Sequence, residues 1–148
     1  MAEPASVAQM LMQAIQTYRN NFRPSRHLDK PYVMLGYNVF AADTDDEARY
    51  LASSWQQSFV SLRNGRPIQL PPPVTDYTDT LAPPDRALLD HVLSCTAIGS
   101  PETVAHGMRE FIRETGADEL IITSNTYDHA ARLRTYEIVA DIRAQLDA

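Results

Sequence analysis

Three successive stretches decide the fold: Gly99-Ser-Pro-Glu-Thr-Val104, Ala117-Asp-Glu-Leu-Ile-Ile-Thr-Ser124 and Tyr127-Asp-His-Ala-Ala-Arg-Leu-Arg-Thr-Tyr-Glu137. Its first part has the N-cap serine and following proline that are typical of a helix start. Its second part is short and apolar, as in a buried strand, and its third part predicts another helix. The order helix, strand, helix indicates an α/β fold with parallel strands.

The N-terminal half repeats this pattern. The nearly continuous apolar run Tyr32–Ala41 predicts a strand buried on both faces, as in a parallel sheet covered by helices. Thr44 with Glu47 three residues later is a capping box, so a second long helix is expected to follow. Gly65 stands where that helix should end.

Three further helices are expected over residues 5–22, 85–93 and from Asp128 onwards, which gives two strands and five helices in all. Apolar residues at spacings of three and four predict the buried face of the first of these helices. The last helix shows a less regular inner face. The predicted inner residues are Val7, Leu11, Ala14, Tyr18 and Phe22 in the first helix, and Leu133, Tyr136, Ala140 and Leu146 in the last.

The length of 148 residues and the ordinary composition, 44% hydrophobic and 22% charged, predict a single domain over residues 1–148. Residues 64–84 are rich in proline and poor in apolar anchors. We interpret this segment as an extended excursion within the domain, of the kind that is often functional or mobile.

The bulk charge excludes some partners. A net charge of −6 argues against binding to nucleic acid or to an anionic membrane surface, because both need a basic face. The apolar runs are too short to span a bilayer, no signal peptide is visible, and the single cysteine cannot form an intrachain disulfide. A cytoplasmic location is therefore expected.

Common catalytic patterns are missing from the sequence. None of the four histidines has a second ligand at helical spacing that would mark a zinc site, so no metal is predicted. A glycine-rich phosphate loop and a GxSxG elbow are also absent, and the residues alone identify no catalytic group.

The strongest candidate site is the polar run 123–129, at the end of the second predicted strand. Ligand sites of α/β folds lie at the carboxyl ends of parallel strands, and a helix N-terminus there can also attract an anion. The candidate binding residues are Thr123, Ser124, Asn125, Tyr127 and His129.

A purely structural interpretation of the same run remains open. Asp128 can simply cap the last helix, and the Ser and Thr hydroxyls can satisfy turn amides. In that interpretation Arg132 and Arg134 are solvated or paired with Glu137.

Several tracts, in this order along the chain, resemble the luciferase-like flavin-dependent monooxygenases. The resemblance extends from about Met10 to Ile142. The tracts are Pro31-Tyr-Val-Met-Leu-Gly36, Ala41-Ala-Asp-Thr-Asp-Asp-Glu-Ala-Arg49, Leu70-Pro-Pro-Pro73, Ile98-Gly-Ser-Pro-Glu-Thr-Val104, Gly116-Ala-Asp-Glu-Leu120 and Tyr127-Asp-His-Ala-Ala-Arg-Leu-Arg134.

The resemblance implies a partial (β/α)8 barrel. Members of the family are more than twice as long, and the comparison places this chain at their C-terminal portion. It would supply the last two β/α units, a preceding helix and the Pro-rich insertion, and oligomerisation is expected to complete the barrel.

The family uses reduced flavin, usually FMN, and molecular oxygen to oxidise a small organic substrate. The resemblance therefore implies an FMN-dependent monooxygenase, with the choice between FMN and a deazaflavin left open. Most of the positions at which the family binds flavin have no counterpart in this chain. The short chain is therefore expected to be catalytically incomplete. The alternative is a non-enzymatic barrel remnant that self-assembles into a homo-oligomer or needs a partner half.

Overall fold

The structure, a computed structural model, describes residues 7–146, and it confirms the predicted strands and the five helices. It adds a short strand, β2, that the sequence pattern did not reveal, and a 3-10 turn at Tyr77–Thr80. The elements are α1 Val7–Asn21, β1 Met34–Ala41, α2 Asp45–Arg63, α3 Pro83–Leu93, β2 Thr96–Gly99, α4 Pro101–Thr115, β3 Glu119–Thr123 and α5 His129–Leu146.

The three strands form one parallel sheet in the order β2-β1-β3. The C-terminal half of β1 pairs with β2, where Asn38 lies opposite Thr96 and Ala41 opposite Gly99. The N-terminal part of β1 pairs with β3, from Met34 opposite Glu119 to Asn38 opposite Thr123. The longest and most apolar strand therefore lies at the centre of the sheet.

One face of the sheet carries the main core. Alternate residues of β1, including Leu35, Tyr37 and Val39, are buried there against α1, α4 and α5. The Tyr37 ring stacks on Phe111 of α4 with 4.4 Å between ring centroids. Burial raises the pKa of the Tyr37 hydroxyl to about 12, which keeps this core residue neutral.

The opposite face is covered only in part. Phe40 is buried there and lies beside Trp55 of α2, at 6.0 Å between ring centroids. Met34 is 52% exposed and Ile121 is 48% exposed, and Gly36 between them is also exposed. The prediction that β1 is buried on both faces is therefore wrong for its first half, because no described helix crosses that part of the sheet.

The predicted helix boundaries are confirmed by their caps. Thr44 accepts a hydrogen bond from the Glu47 amide at 3.2 Å, and Ser100 accepts one from the Thr103 amide at 3.4 Å. Gly116 ends α4 with a φ of 58°, a backbone conformation that favours glycine. None of the helices in the described part of the chain is long and apolar enough to cross a membrane.

The inner face of α5 differs from the predicted one. Leu133 and Tyr136 are exposed at 50% and 40%, whereas Thr135, Ile138 and Ile142 are buried. Ala140 is also exposed, and the side chain of Leu146 lies outside the described residues. The hydrogen bonds between Thr135 and β1 set which face of α5 turns inwards. A prediction from the apolar residues of the helix does not include such a polar contact.

Helix α1 also buries less than predicted. Ile15 is its buried residue, whereas Tyr18 is 40% exposed and Ala14 is exposed. The helix is fixed instead by Arg19, whose guanidinium donates to the carbonyl oxygens of Thr115 at 3.0 Å and Gly116 at 2.5 Å. This contact joins α1 to the end of α4.

Thr135 replaces a missing strand partner. The pairing of β3 with β1 ends at Asn38, three residues before Ala41. The Thr135 hydroxyl accepts from the Ala41 amide at 3.3 Å and donates to the Ala41 carbonyl at 2.8 Å. Both backbone groups are thereby satisfied in a fully buried position, where an unpaired polar group is costly.

We expect Thr135→Val to lower the free energy of unfolding by about 1–3 kcal/mol, because it leaves both Ala41 groups buried and unpaired. Urea denaturation followed by circular dichroism measures the change. The control Thr17→Val removes a hydroxyl that bonds only within exposed α1, and it should change the free energy by less than about 0.5 kcal/mol. Equal urea midpoints for Thr135→Val and the wild type would contradict this role.

Asp45 fixes the ends of β1 and β2 relative to each other. Its carboxylate accepts a hydrogen bond from the Ser100 amide at 2.6 Å, and this bond is the main cause of a lowered pKa of Asp45. A hydrogen bond from Thr103 adds to the effect. A side chain at Gly99 would place its Cβ 2.6 Å from the Asp45 Oδ1 atom, so only glycine fits beside this contact.

Because the pKa of Asp45 is lower in the folded state than its ordinary value of 3.8, the ionised carboxylate stabilises the fold at pH values above 3.8. This contribution is lost as the pH falls through the pKa of Asp45 in the folded state. We therefore expect the wild type to lose more stability on acidification below that value than Asp45→Asn, which does not titrate. Urea midpoints measured at several acidic pH values test this. Parallel pH profiles for the two proteins would show that the Ser100 contact does not hold the carboxylate.

Candidate functional site

The carboxyl ends of the three strands meet at one edge of the sheet. Helices α2, α4 and α5 begin within a few residues of Ala41, Gly99 and Thr123, the last residues of the strands. This is the edge at which α/β proteins place their ligand sites. The predicted polar run 123–129 lies here, as the direction of β3 requires.

Arg134 crosses this edge from α5. Its guanidinium donates to Asp43 at 2.8 Å and to Glu137 at 3.4 Å. The hydrogen bond that Arg134 donates to Asp43, and then the one that it donates to Glu137, raise the pKa of Arg134, so the group stays cationic. The structural interpretation of Arg134, pairing with Glu137, is confirmed, and Asp43 is a second acceptor that the sequence did not suggest.

Thr123 is the candidate residue with a defined contact on the sheet. Its hydroxyl donates to the Oδ1 atom of Asn38 at 2.5 Å, across the pairing of β3 with β1. Asn38 was not predicted, because it lies inside an apolar run. The period-two alternation of β1 could have placed it on one face with Met34 and Gly36, but only the register shows that it meets Thr123.

The other candidates occupy three different environments. Ser124 is 4% exposed and its hydroxyl lies 3.0 Å from that of buried Thr126, so it faces the protein interior. Asn125 and Tyr127 are exposed in the loop. His129, in the first turn of α5, is also exposed, and its Nδ1 atom lies 2.7 Å from the Arg132 guanidinium.

Asp128 begins α5 as predicted. Its carboxylate accepts from the Ala131 amide at 2.8 Å, so part of the donor capacity of this helix end is already used. The five candidate residues therefore share one edge but do not converge on one point. Their role in binding stays a prediction.

Five residues on the uncovered part of the sheet form what we term the open face: Met34, Gly36, Asn38, Ile121 and Thr123. They belong to one face because Gly36 pairs with Ile121 and Asn38 with Thr123. A Cβ atom added to Gly36 would meet nothing within 4 Å, which shows how little lies above the strand there. The open face is a wall with a polar pair at its carboxyl end, not an enclosed pocket.

Two concave surfaces flank the sheet. A groove of about 640 Å³ follows the free edge of β3, and we term it the β3 groove. Leu120 and Ile122 line it on the strand, and Met108, Ile112 and Val139 line it on α4 and α5. A cleft of similar volume lies between α2 and the Pro-rich excursion, and we term it the α2 cleft.

The chemistry available on the open face is neutral hydrogen bonding. Asn38 and Thr123 offer amide and hydroxyl groups, which orient a ligand but do not exchange protons near neutral pH. Within residues 7–146, no cluster of His, Cys, Asp or Glu side chains could hold a metal ion. These groups suit binding and positioning rather than acid–base catalysis.

Sequence comparison identifies relatives of much greater length. No protein-family profile matches the chain. A luciferase-like monooxygenase of Escherichia coli K12 is 40% identical over 137 residues, which cover 93% of this chain and 41% of that protein. The uncharacterized protein YvbT of Bacillus subtilis is 43% identical over 129 residues, covering 87% of this chain and 38% of YvbT.

Solved structures agree with this relationship. The structure of apo-MsnO8 superimposes with a TM-score of 0.73 at 26% identity, covering 93% of this chain and 42% of MsnO8. The monooxygenase RslO1 from Streptomyces bottropensis, at 15% identity and a TM-score of 0.54, shares the fold. The predicted resemblance is confirmed: this chain is similar over 93% of its length to a luciferase-like monooxygenase, and it spans about two fifths of the length of the relatives it matches.

Proposed function

We propose that this chain contributes one part of a flavin-dependent monooxygenase that uses reduced FMN and oxygen to oxidise a small organic substrate. The observation that carries the proposal is the 40% identity to the E. coli luciferase-like monooxygenase over 93% of the chain. Function requires the remaining part of a barrel, because the chain spans only 41% of that relative.

The open face is the part of this chain that we assign to the barrel interior. In a (β/α)8 barrel, helices cover the outer face of each strand and the other face points inwards. Here α4 and α5 pack against one face of β1, and Met34, Gly36 and Ile121 remain exposed on the other. In this proposal β1 and β3 are the last two barrel strands, and the Pro-rich excursion is an insertion between them.

The described residues fit an FMN site only as one wall. Asn38 and Thr123 could hydrogen-bond a polar edge of the cofactor or substrate, and exposed Tyr127 and His129 lie near the N-terminus of α5, which favours an anionic group. The open face has no opposing wall that could exclude water from an isoalloxazine ring. We therefore assign no catalytic step and no catalytic residue to the isolated chain.

A chimera tests the proposal. Replacing the matched 137-residue segment of the E. coli relative by this chain supplies the rest of the barrel. We expect saturable quenching of FMN fluorescence by the chimera, and none by the isolated chain. The variant Asn38→Leu in the chimera should weaken FMN or substrate binding by about tenfold, because a ligand loses a polar contact of the open face.

The matched control in the chimera is Asn20→Leu, which changes an exposed residue of α1 away from the open face. It should bind FMN like the parent chimera. A chimera that is folded by circular dichroism and monodisperse, but does not bind FMN, would contradict a flavin role for this segment. Saturable FMN binding by the isolated chain would contradict its proposed incompleteness.

A second candidate function is self-assembly without catalysis. Among residues 7–146, no strand pairs with the outer edge of β3, and such edges favour pairing with another chain. The β3 groove and the open face add apolar surface beside that edge, and exposed apolar patches commonly become interfaces. In this candidate function, strands from two copies form a common sheet in a homodimer or larger oligomer.

Sedimentation velocity at micromolar concentration tests self-assembly. We expect a dimer or larger species for the wild type and weaker association for Ile121→Glu, which places a charge on the open face. The control Ile68→Glu changes a residue of similar exposure, 51% against 48%, in the Pro-rich excursion, and it should associate like the wild type. A monomeric wild type would contradict self-assembly and leave the barrel-segment proposal intact.

A further inference from the structure

The dipeptide Asn64-Gly65 stands where α2 ends and the Pro-rich excursion begins. Asn64 is the only asparagine of the chain that glycine follows. An asparagine before glycine is prone to lose its side-chain amide, because glycine has no side chain to hinder attack of its own backbone nitrogen on the asparagine Cγ atom. The sequence at this turn therefore has the pattern of a deamidation site.

The folded turn leaves room for this attack. Asn64 and Gly65 are both exposed, and Gly65 has a φ of 73°, a conformation that favours glycine. A Cβ atom added to Gly65 would meet nothing within 4 Å, so no described residue beyond its chain neighbours crowds it. The Asn64 side chain is therefore open to solvent water, and there is space for a ring to close between the two residues.

Two hydrogen bonds restrain the atoms that would react. The Asn64 Nδ2 atom, which is the leaving group, donates to the Asp85 carboxylate at 3.1 Å. The Gly65 amide, which is the nucleophile, donates to the Leu62 carbonyl at 3.0 Å. Because both atoms are held in place, the reaction requires the turn to open. The Asp85 contact is therefore one of the restraints that set its rate.

The contact between Asn64 and Asp85 joins the two ends of the excursion. Asn64 is the C-cap of α2, and Asp85 lies in the first turn of α3. Between them the excursion packs against α2, where the Val74 amide donates to the Ser53 hydroxyl at 2.8 Å. The excursion is therefore a closed loop along one side of the α2 cleft, and Asn64 holds it closed at its base.

Loss of the side-chain amide would turn this attractive contact into a repulsive one. The Asn64 amide donates to the carboxylate of Asp85, whereas an aspartate or isoaspartate at position 64 is an anion at neutral pH. Two carboxylates at hydrogen-bonding distance repel each other. A negative charge at the C-terminal end of α2 is also unfavourable because of the helix dipole. The base of the excursion would therefore open.

We propose that Asn64 is a deamidation site whose rate is controlled by Asp85 and whose product loosens the excursion from α3. The Gly65 backbone nitrogen bonds to the Asn64 Cγ atom, the Cγ–Nδ2 bond breaks, and the Gly65 N–H proton leaves with the amide as ammonia. Water then opens the cyclic imide at either carbonyl, which gives aspartate or isoaspartate and one new negative charge. This site is independent of the proposed function, because it uses neither the open face nor the residues 123–129.

Peptide mapping by mass spectrometry of the full chain, aged in mildly alkaline buffer, measures the reaction. We expect Asn64 to be converted faster than Asn125, which is exposed in a loop but is followed by threonine. Asp85→Ala should raise the rate at Asn64 by about two- to fivefold, because one hydrogen bond no longer holds the amide. The matched control Asp90→Ala removes a carboxylate of α3 that pairs with Arg86, and it should leave the rate unchanged.

Residue-resolved amide hydrogen exchange measures the consequence. We expect Asn64→Asp to speed exchange in α3 by about threefold or more, because repulsion favours local opening. The control Asn20→Asp, at an exposed position in the last turn of α1, should not change exchange in α3. Three results would overturn the proposal: conversion of Asn64 no faster than that of Asn125, equal rates in Asp85→Ala and Asp90→Ala, or equal exchange of α3 in Asn64→Asp and the wild type.

Discussion

The packing of the first half of β1 on one face only is the constraint on which the rest of the structure depends. A parallel sheet normally buries both faces, and an apolar central strand supplies side chains in both directions. Here Leu35, Tyr37 and Val39 enter a core formed by α1, α4 and α5. On the other face only Phe40, at the end of the strand, is covered by α2, so the first half of the sheet keeps an apolar open face.

Two side-chain contacts stabilise the carboxyl end of this three-stranded sheet. Thr135 satisfies the backbone of Ala41 where β3 has already ended, and Asp45 joins the turn after β1 to the start of α4. These contacts stabilise the carboxyl edge without a fourth strand. They do not cover the open face or the outer edge of β3, and under the proposed function these are the surfaces at which the rest of a barrel would pack.

The sequence predicted the features that depend on local chemistry. The five helices, the two longer strands and the caps at Thr44, Ser100 and Gly116 follow from hydrophobic period and capping residues, and the structure has them. Strand β2 was missed because its four residues are too few to show a period. The inner face of α5 was assigned wrongly because a buried threonine, not an apolar stripe, sets its rotation.

The sequence predicted where the candidate site lies on the sheet, but not which side chains contact one another there. The polar run at 123–129 lies at the carboxyl edge because β3 is parallel to β1, but its side chains divide between the interior, the loop and the open face. Asn38 lies inside a segment that shows only the pattern of a strand. Its contact with Thr123 depends on the register of β1 with β3, which is a tertiary feature.

The most direct test of the one-sided, open-edged sheet is residue-resolved amide hydrogen exchange of the chain at a concentration where it is monomeric. We expect strong protection along β1 and fast exchange of the alternate amides of β3 that point away from it. Uniform protection of β3 in a monomer would show that its edge is covered, and it would contradict the assignment of this edge as the point where a barrel continues.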